Sequence, residues 1–279
     1  MTRVALAGCA GTEDPDAPLL VGALARLGIE AASHAWDDHG VDWASFDTTV
    51  VRSTWDYPAA LDDFLAWARA VPRLVNPVGV VAWNADKRYL EALATAGVPT
   101  IETTYVRSGD TATFPNVPFV VKPSVGGGSR GAARYAPAEV DAAHAHVALL
   151  ASKGLDAMVQ PFVESVDAVG ETDVVVIDGE VSHAIIKHAP LRAVATWDPA
   201  GPACFERAAP DNEQAAVVAA ALAAVPGAAP LCYARVDLVA TAAGPSVIEI
   251  ELIEPFLFLA CADAAADRLA AAIARRAAA

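Results

Sequence analysis

Residues Tyr233–Pro255 read YARVDLVATAAGPSVIEIELIEP. Ile248, Ile250 and Leu252 alternate with Glu249 and Glu251, the period-2 pattern of a strand with one apolar face, so the two glutamates share the other face. Ala242-Ala243-Gly244-Pro245 is a turn signal, and the residues before it read as a partner strand carrying Arg235 and Asp237. A hairpin centred near Ala243 sets Asp237 opposite Glu249 and Arg235 opposite Glu251. Like charges facing each other on a sheet repel, so three clustered carboxylates call for water or a cation between them. Mg²⁺ takes one or two carboxylates together with substrate phosphates. The same residues also describe an amphipathic hairpin with a solvated acidic face. A phosphate site elsewhere in the chain would decide between the two.

The chain has 279 residues, enough for two modest domains with cores of their own. Hydrophobic residues make up 55%, as in a globular protein. A formal net charge of -15 argues against nucleic acid or an anionic membrane surface as partner. Cys9, Cys204, Cys232 and Cys261 are scattered, with no C-x-x-C pair, so free thiols in a reducing cytosol are expected. The apolar run in MTRVALAGCAG is too short for a signal peptide, and Ala215–Val225 is too short to span a bilayer. A cytoplasmic protein is the expectation.

Arg3–Cys9, a helix over Pro18–Leu27, Ile29–Trp36 and Thr48–Val51 predict a small parallel α/β unit. Ligands of such sheets collect at the carboxyl ends of strands. Two segments fall there: the loop 11–16, which holds Asp14 and Asp16, and Arg52-Ser53-Thr54-Trp55-Asp56-Tyr57. Arg52 is suited to clamp a carboxylate through two parallel hydrogen bonds. The competing reading makes Trp55 and Tyr57 packing residues and pairs Arg52 with Asp56. A helix spans Leu61–Ala70, a domain boundary is placed near Val80, and one helix over Trp83–Ala96 carries Lys87.

Pro118–Pro123 predicts a short strand with Lys122 at its end, a cation expensive to bury unless an anion meets it. The loop Ser124-Val125-Gly126-Gly127-Gly128-Ser129-Arg130-Gly131 allows backbone N–H groups to converge on an anion and allows movement as a lid. AMVQPFV, residues 157–163, is read as a short strand followed by an extended segment; Pro161 lacks an N–H, so a hinge is expected there rather than a central paired strand. Asp178-Gly179 joins two strands carrying Glu171, Asp173, His183 and Lys187. Residues 188–210, with Arg192, Trp197 and Asp198, read as a long covering loop. Asp211 caps a helix, and a last helix spans Ala262–Arg276.

Taken in order, N-x-D-K, V-K-P with a glycine loop, Q-P-F-V, G-E-T-D, R-V-D and E-I-E resemble the ATP-grasp superfamily of carboxylate ligases over Trp83–Glu254. RSTWDY, WNADKRYL and ELIEPFLF are similar to the subgroup that includes the O-ureido-serine cyclo-ligase of cycloserine biosynthesis. The resemblance implies an α/β fold, α+β in its C-terminal part. A pre-ATP-grasp substrate domain would span residues 1–80 and an ATP-grasp domain 81–279, with the lid subdomain at 81–160 and the metal and phosphate subdomain at 161–279. It further implies ATP held by Lys87, Lys122, the lid from Ser124 through Gly126, Gly127, Gly128 and Ser129, the hinge Gln160, Pro161, Phe162 and Val163, and Glu171 at the ribose. Asp237, Glu249 and Glu251 would hold two Mg²⁺, while Lys187, Arg235 and Arg52 face the transferring phosphoryl group. A small amino-acid-like substrate would lie among Asp16, Arg52, Ser53, Trp55, Asp56, Tyr57 and Glu254. Relatives in the subgroup are often dimers, so a homodimer is compatible with the resemblance.

Three positions depart from the superfamily pattern. Glu251 stands where Asn is usual and adds a negative charge, Pro161 occupies the hinge, and Phe256 replaces a small polar residue. The implied reaction activates a carboxylate as an acyl phosphate and forms an amide-type C–N bond, either between two substrates or within one molecule. A small-molecule kinase on the same scaffold is the first alternative reading, and a nucleotide-binding protein without turnover is the second.

Overall fold

The computed structural model describes residues 1–188, 195, 204–227 and 230–278. Its first part is a four-stranded parallel sheet in the order β2-β1-β3-β4, formed by β1 (Arg3–Gly8), β2 (Glu30–Ala35), β3 (Thr48–Ser53) and β4 (Leu74–Val75). Between strands run α1 (Ala17–Arg26) and α2 (Leu61–Ala70). Strand β3 is longer than expected and takes in Arg52 and Ser53. Its six residues are all buried, which a parallel strand covered on both faces requires.

The helix expected over Trp83–Ala96 is two helices, α3 (Val78–Asn84) and α4 (Tyr89–Thr95). The break has a local cause. The Asp86 carboxylate accepts the Arg88 N–H at 3.0 Å, and the Lys87 N–H is drawn to Ser124 O at 2.8 Å. A short polar side chain thus competes with helical bonding and ties Lys87 to the base of the lid.

A second, antiparallel sheet has the order β5-β8-β6-β7, from β5 (Thr104–Val106), β6 (Phe119–Pro123), β7 (Ala133–Tyr135) and β8 (Ala157–Pro161), backed by α5 (Val140–Ser152). The hinge expectation for residues 157–163 needs correcting here. β8 is an interior strand paired on both sides, and Pro161 is tolerated because it is the last residue, after which Phe162 N–H donates to Pro118 O.

Helix α6 (Ser165–Val169) leads into the third sheet, of order β11-β10-β9-β12-β13: β9 (Glu171–Ile177), β10 (Glu180–His188), β11 (Cys204–Ala208), β12 (Tyr233–Thr241) and β13 (Gly244–Glu251). Part of the expected loop at 188–210 is therefore strand, while Arg192, Trp197 and Asp198 lie outside the described residues. Helix α7 (Asn212–Ala223) is capped by the Asp211 carboxylate, and α8 (Ala265–Ala277) closes the chain.

The third sheet buries both faces. On one side Val175, Ile177, Ile185 and Tyr233 pack with α1, α8 and the parallel sheet. On the other Val174, Val176, Ala234, Val236 and Leu238 pack with α3, α4 and α7. Edge strand β13 (Gly244–Glu251) forms an isolated parallel bridge at Val247, whose N–H donates to Pro99 O at 2.8 Å. Further along, Asn84 Nδ2 donates to Ile250 O, and Asn84 Oδ1 and Tyr89 Oη accept from Leu252 N and Ile250 N, so the rest of this edge is met by side chains. Asn76 does the same between Cys232, Tyr233 and Leu252. Among the described residues no helix is long and apolar enough to cross a membrane.

Candidate active site

The expected hairpin register is present: Asp237 pairs with Glu249 and Arg235 with Glu251. The turn is tighter than expected, with Thr241 opposite Gly244, and a bulge between Asp237 and Leu238 restores the register by looping out Ile248. Ile248 therefore leaves the apolar face and lines the cleft, while Val247 and Ile250 fill the core.

Cross-strand pairing lays the charges out in rows. Lys187 stands opposite Glu171; Asp173, Asp237 and Glu249 form a row across three strands; Arg235 stands beside Glu251. The same face is apolar at its other end, where Val175, Ile177 and Tyr233 meet the core. One sheet face thus changes from packing surface to charged surface within a few residues. Gly170, between α6 and β9, lets the chain pass close to β10: at φ +79° a Cβ there would lie 2.8 Å from Lys187 O and from Ile186 Cγ2.

The two cations bracket the carboxylate row. Lys187 Nζ lies 2.8 Å from Glu171, 3.2 Å from Asp173 and 3.7 Å from Asp237. Arg235 donates from Nε and Nη2 to the two Asp237 oxygens at 2.7 and 2.8 Å, and from Nη2 to Glu251 as well. Burial would raise Asp237, yet Arg235 and Lys187 hold its carboxyl below the usual carboxylate range. Burial, reinforced by Asp237, pushes Asp173 up to about 8, so it is the member of the row that keeps its proton at neutral pH. Burial also raises Glu251 to about 7 against the pull of Arg235. The additional charge of Glu251 is therefore met by a guanidinium.

Across the cleft Lys87 Nζ lies 3.0 Å from Glu249 and donates to Gly126 O. Lys122, from β6, forms no ion pair among the described residues, and burial lowers its pKa. The lid residues Gly126, Gly127, Gly128, Ser129 and Arg130 complete the wall. Ser124 does not: it is buried at the base of the lid, where its N–H donates to Asp156 O, and it faces away from the cleft. Gln160 and Pro161 line the cleft, with Gln160 Nε2 held by Thr103 Oγ1 at 2.9 Å. Phe162, Val163, Ile101, Val166 and Ile248 make a continuous apolar slot beside them. The structure thus brings together the expected lysines, lid, hinge and carboxylates.

The segment Arg52–Tyr57 behaves differently. Arg52 is 2% exposed and does not reach the cleft; Nε donates to Asp14 at 3.1 Å and Nη2 to Asp16 at 3.4 Å. Asp16 is 2% exposed and accepts the Leu257 and Leu259 N–H groups at 2.9 and 2.8 Å. Arg52 is thus paired with both acids and Asp16 with the backbone as well, while Arg52 Nη1 is buried without a hydrogen bond. Ser53 is buried in β3, and Tyr57 is buried, stacked on Phe64 at 4.7 Å between ring centroids. Trp55 Nε1 donates to Glu254 O at 3.0 Å, and the exposed Asp56 accepts from Trp36 Nε1 at 2.9 Å. Burial, then Glu251, raises the Glu254 carboxyl well above its ordinary value, with Lys87 opposing, which puts Glu254 in the field of the carboxylate row.

Residues 4–76 match the family described as D-cycloserine synthetase DcsG, N-terminal domain. The cycloserine biosynthesis protein DcsG of Streptomyces lavendulae is 41% identical, with 94% of each chain covered. The chain belongs to the DcsG family. A crystal structure of D-cycloserine synthetase DcsG superposes with a TM-score of 0.88 at 38% identity, covering 99% of both chains. At 16% identity, a D-alanine–D-alanine ligase from Bacillus anthracis complexed with ATP has the same fold, with a TM-score of 0.71 over 100% of this chain and 98% of that one.

As a DcsG-family protein with an ATP-grasp fold, the chain is an ATP-dependent ligase. Its residues fit ATP and Mg²⁺: Lys122 forms no ion pair among the described residues, and both oxygens of the fully buried Asp173 lack a hydrogen bond, its nearest cation being Lys187 at 3.2 Å. Glu171, Asp173 and Asp237 also present carboxylate oxygens within 4.8 Å of one another. Asp173 was not among the expected site residues. In sequence it is a lone acid in the apolar run TDVVVI, and an acid buried inside a strand signals a partner across the sheet.

Proposed function

We propose that this chain closes a ring within a small O-substituted serine, joining its activated carboxyl carbon to a nitrogen of the same molecule. The observation that carries the reading is Lys122, which forms no ion pair among the described residues, set across the cleft from Asp237, Glu249 and Glu251. Neither side is balanced alone, and a polyphosphate with its cations balances both. Lys87, Lys122, the glycines of the lid and Lys187 bind and orient the phosphates. Gln160, Pro161, Phe162, Val163 and the apolar slot take the base, and Glu171 takes the ribose. Asp237, Glu249 and Glu251 hold two Mg²⁺, which when bound neutralise charge on the phosphoryl group.

The substrate carboxylate oxygen attacks the γ-phosphorus, the bond to ADP breaks, and an acyl phosphate results. Arg235, which lines the cleft beside Asp237 and Glu251, faces the developing charge. The nitrogen then attacks the acyl carbon, phosphate leaves with the C–O electron pair, and the nitrogen loses a proton. Trp55, Asp56 and Glu254 form the substrate wall, Glu254 meeting the substrate's cationic amine. In this reading residues 1–80 are the substrate-side domain and 81–279 the ATP-grasp domain.

The test is ADP release and cyclic product measured with O-ureidoserine of each hand, serine, and other O-substituted serines. One O-substituted serine is expected to give ADP and ring product in equal amounts. ADP formation that leaves only a phosphorylated substrate, with no ring, would overturn the reading.

A further inference from the structure

The lid carries one side chain that phosphate binding does not account for. Arg130 donates from Nη1 to Trp55 O at 2.6 Å, a contact between residues 75 apart in the chain. The lid it belongs to is held at its two ends, by Lys87 at Gly126 O and His146 at Gly131 O, and is open around its middle glycines. Gly128 and Ser129 turn through left-handed conformations at φ 60° and 58°, and a Cβ on Gly127 would meet nothing within 4 Å. Trp55, by contrast, is fixed: its indole N–H is bonded to Glu254 O, three residues past Glu251. A run of hydrogen bonds therefore passes from the lid through Trp55 to the end of the metal hairpin.

The acceptor is informative. Asp56 is adjacent and exposed, and an arginine acting only as a counter-charge would pair with it. Arg130 instead takes a main-chain carbonyl, whose place depends on the path of the segment after β3 and not on one side chain's rotamer. Arg130 also lines both the main cleft and a second cavity of about 370 Å³, which lies between the lid and Trp55, Asp56, Pro58 and Ala59. It stands at the partition between the two.

We infer that Arg130 is a positioning residue that latches the closed lid to the substrate wall through the Trp55 carbonyl, so that the acyl phosphate forms and reacts behind one closed barrier. The inference rests on the proposed reaction. With the latch absent, a water oxygen attacks the acyl carbon in place of the substrate nitrogen and phosphate leaves. The carboxylate is then regenerated, with ADP formed and no ring.

The experiment compares the wild type, Arg130→Ala and Arg130→Lys by ring product per ADP, KM for ATP, and hydrogen exchange of residues 124–131 with a non-hydrolysable ATP analogue and Mg²⁺. In Arg130→Ala, product per ADP is expected to fall several-fold and ring formation by up to about 100-fold, as for other losses of positioning. The analogue should no longer protect the lid from exchange, and Arg130→Lys, which still reaches one carbonyl, should recover part of both readouts. Unchanged lid protection in Arg130→Ala would overturn the inference, as would a rise in KM for ATP with product per ADP intact, which marks a phosphate ligand. Absence of substrate-dependent ADP release in the wild type would sink the proposed reaction instead, and lid protection by the analogue would still report on the latch.

Discussion

The molecule holds two clusters of buried charge built from the same kinds of side chain. In the parallel sheet, Arg52 lies between Asp14 and Asp16, and Asp16 additionally accepts two backbone N–H groups. In the cleft, Lys187 and Arg235 lie among Glu171, Asp173, Asp237 and Glu251. The first cluster ties into the protein's own backbone, with Asp16 joining the sheet to Leu257 and Leu259, and leaves Arg52 Nη1 buried without a hydrogen bond. The second leaves more capacity over, and at an open cleft: Asp173 meets Lys187 at 3.2 Å but forms no hydrogen bond, Lys122 forms no ion pair among the described residues, and two glutamates stand on an edge strand. Charge tied into the backbone marks a structural joint, and charge left over at a cleft marks a place for a ligand.

The largest break in this contrast is expected from Glu249→Gln. On the proposed reading it removes a metal ligand from the open cluster, so Mg²⁺-dependent turnover should fall about 1000-fold while the melting temperature stays near wild type. Near-normal activity would disprove the metal assignment. In the closed cluster Asp16→Asn should do the reverse. The amide can accept one of the two N–H groups but offers the other a donor, and Arg52 loses a counter-charge. Stability should drop by about 3 kcal/mol in denaturant titrations, with kcat per folded molecule little changed.

Lys122→Met separates the two behaviours within one residue. KM for ATP should rise about ten-fold or more, while the ligand-free protein gains about 1 kcal/mol, since an unpaired buried cation becomes an apolar side chain of similar length. A loss of stability would show that Lys122 is structural. The smallest effect concerns His146, whose Nε2 lies 3.1 Å from Gly131 O under the lid and whose pKa burial lowers. Above about pH 6.5 the ring is neutral in folded and unfolded chains alike. Below it the unfolded chain takes up a proton that the fold resists, so stability is lost on the acid side. His146→Gln should reduce the acid-side fall in melting temperature by the equivalent of about 1 kcal/mol or less.

The open cluster was legible in sequence largely because period-2 alternation and a turn signal place Asp237, Glu249 and Glu251 on one face without help from distant residues. The closed cluster was not. An arginine ending a strand looks the same whether it meets a substrate or an acid 36 residues away, and only the tertiary path brings Asp16 beneath it. Ser124 was misplaced for a related reason: a glycine-rich run does not reveal where its fixed base ends and its mobile part begins. The break at Lys87 was hidden because no glycine or proline marks it; Asp86 ends the helix with its own side chain.

The bulge at Ile248 means that β13 carries one residue more than its pairing needs. Leu238 pairs with Val247 and Asp237 with Glu249, so the backbone of the inserted residue is what brings the acids into alignment. Its side chain contributes something separate, a branched apolar surface against Phe162, Val163 and Val166. The width of the slot and the register of the carboxylates therefore depend on different parts of one residue. In the proposed reading, nucleobase fit can be retuned by the side chain at position 248 while the acids keep their register.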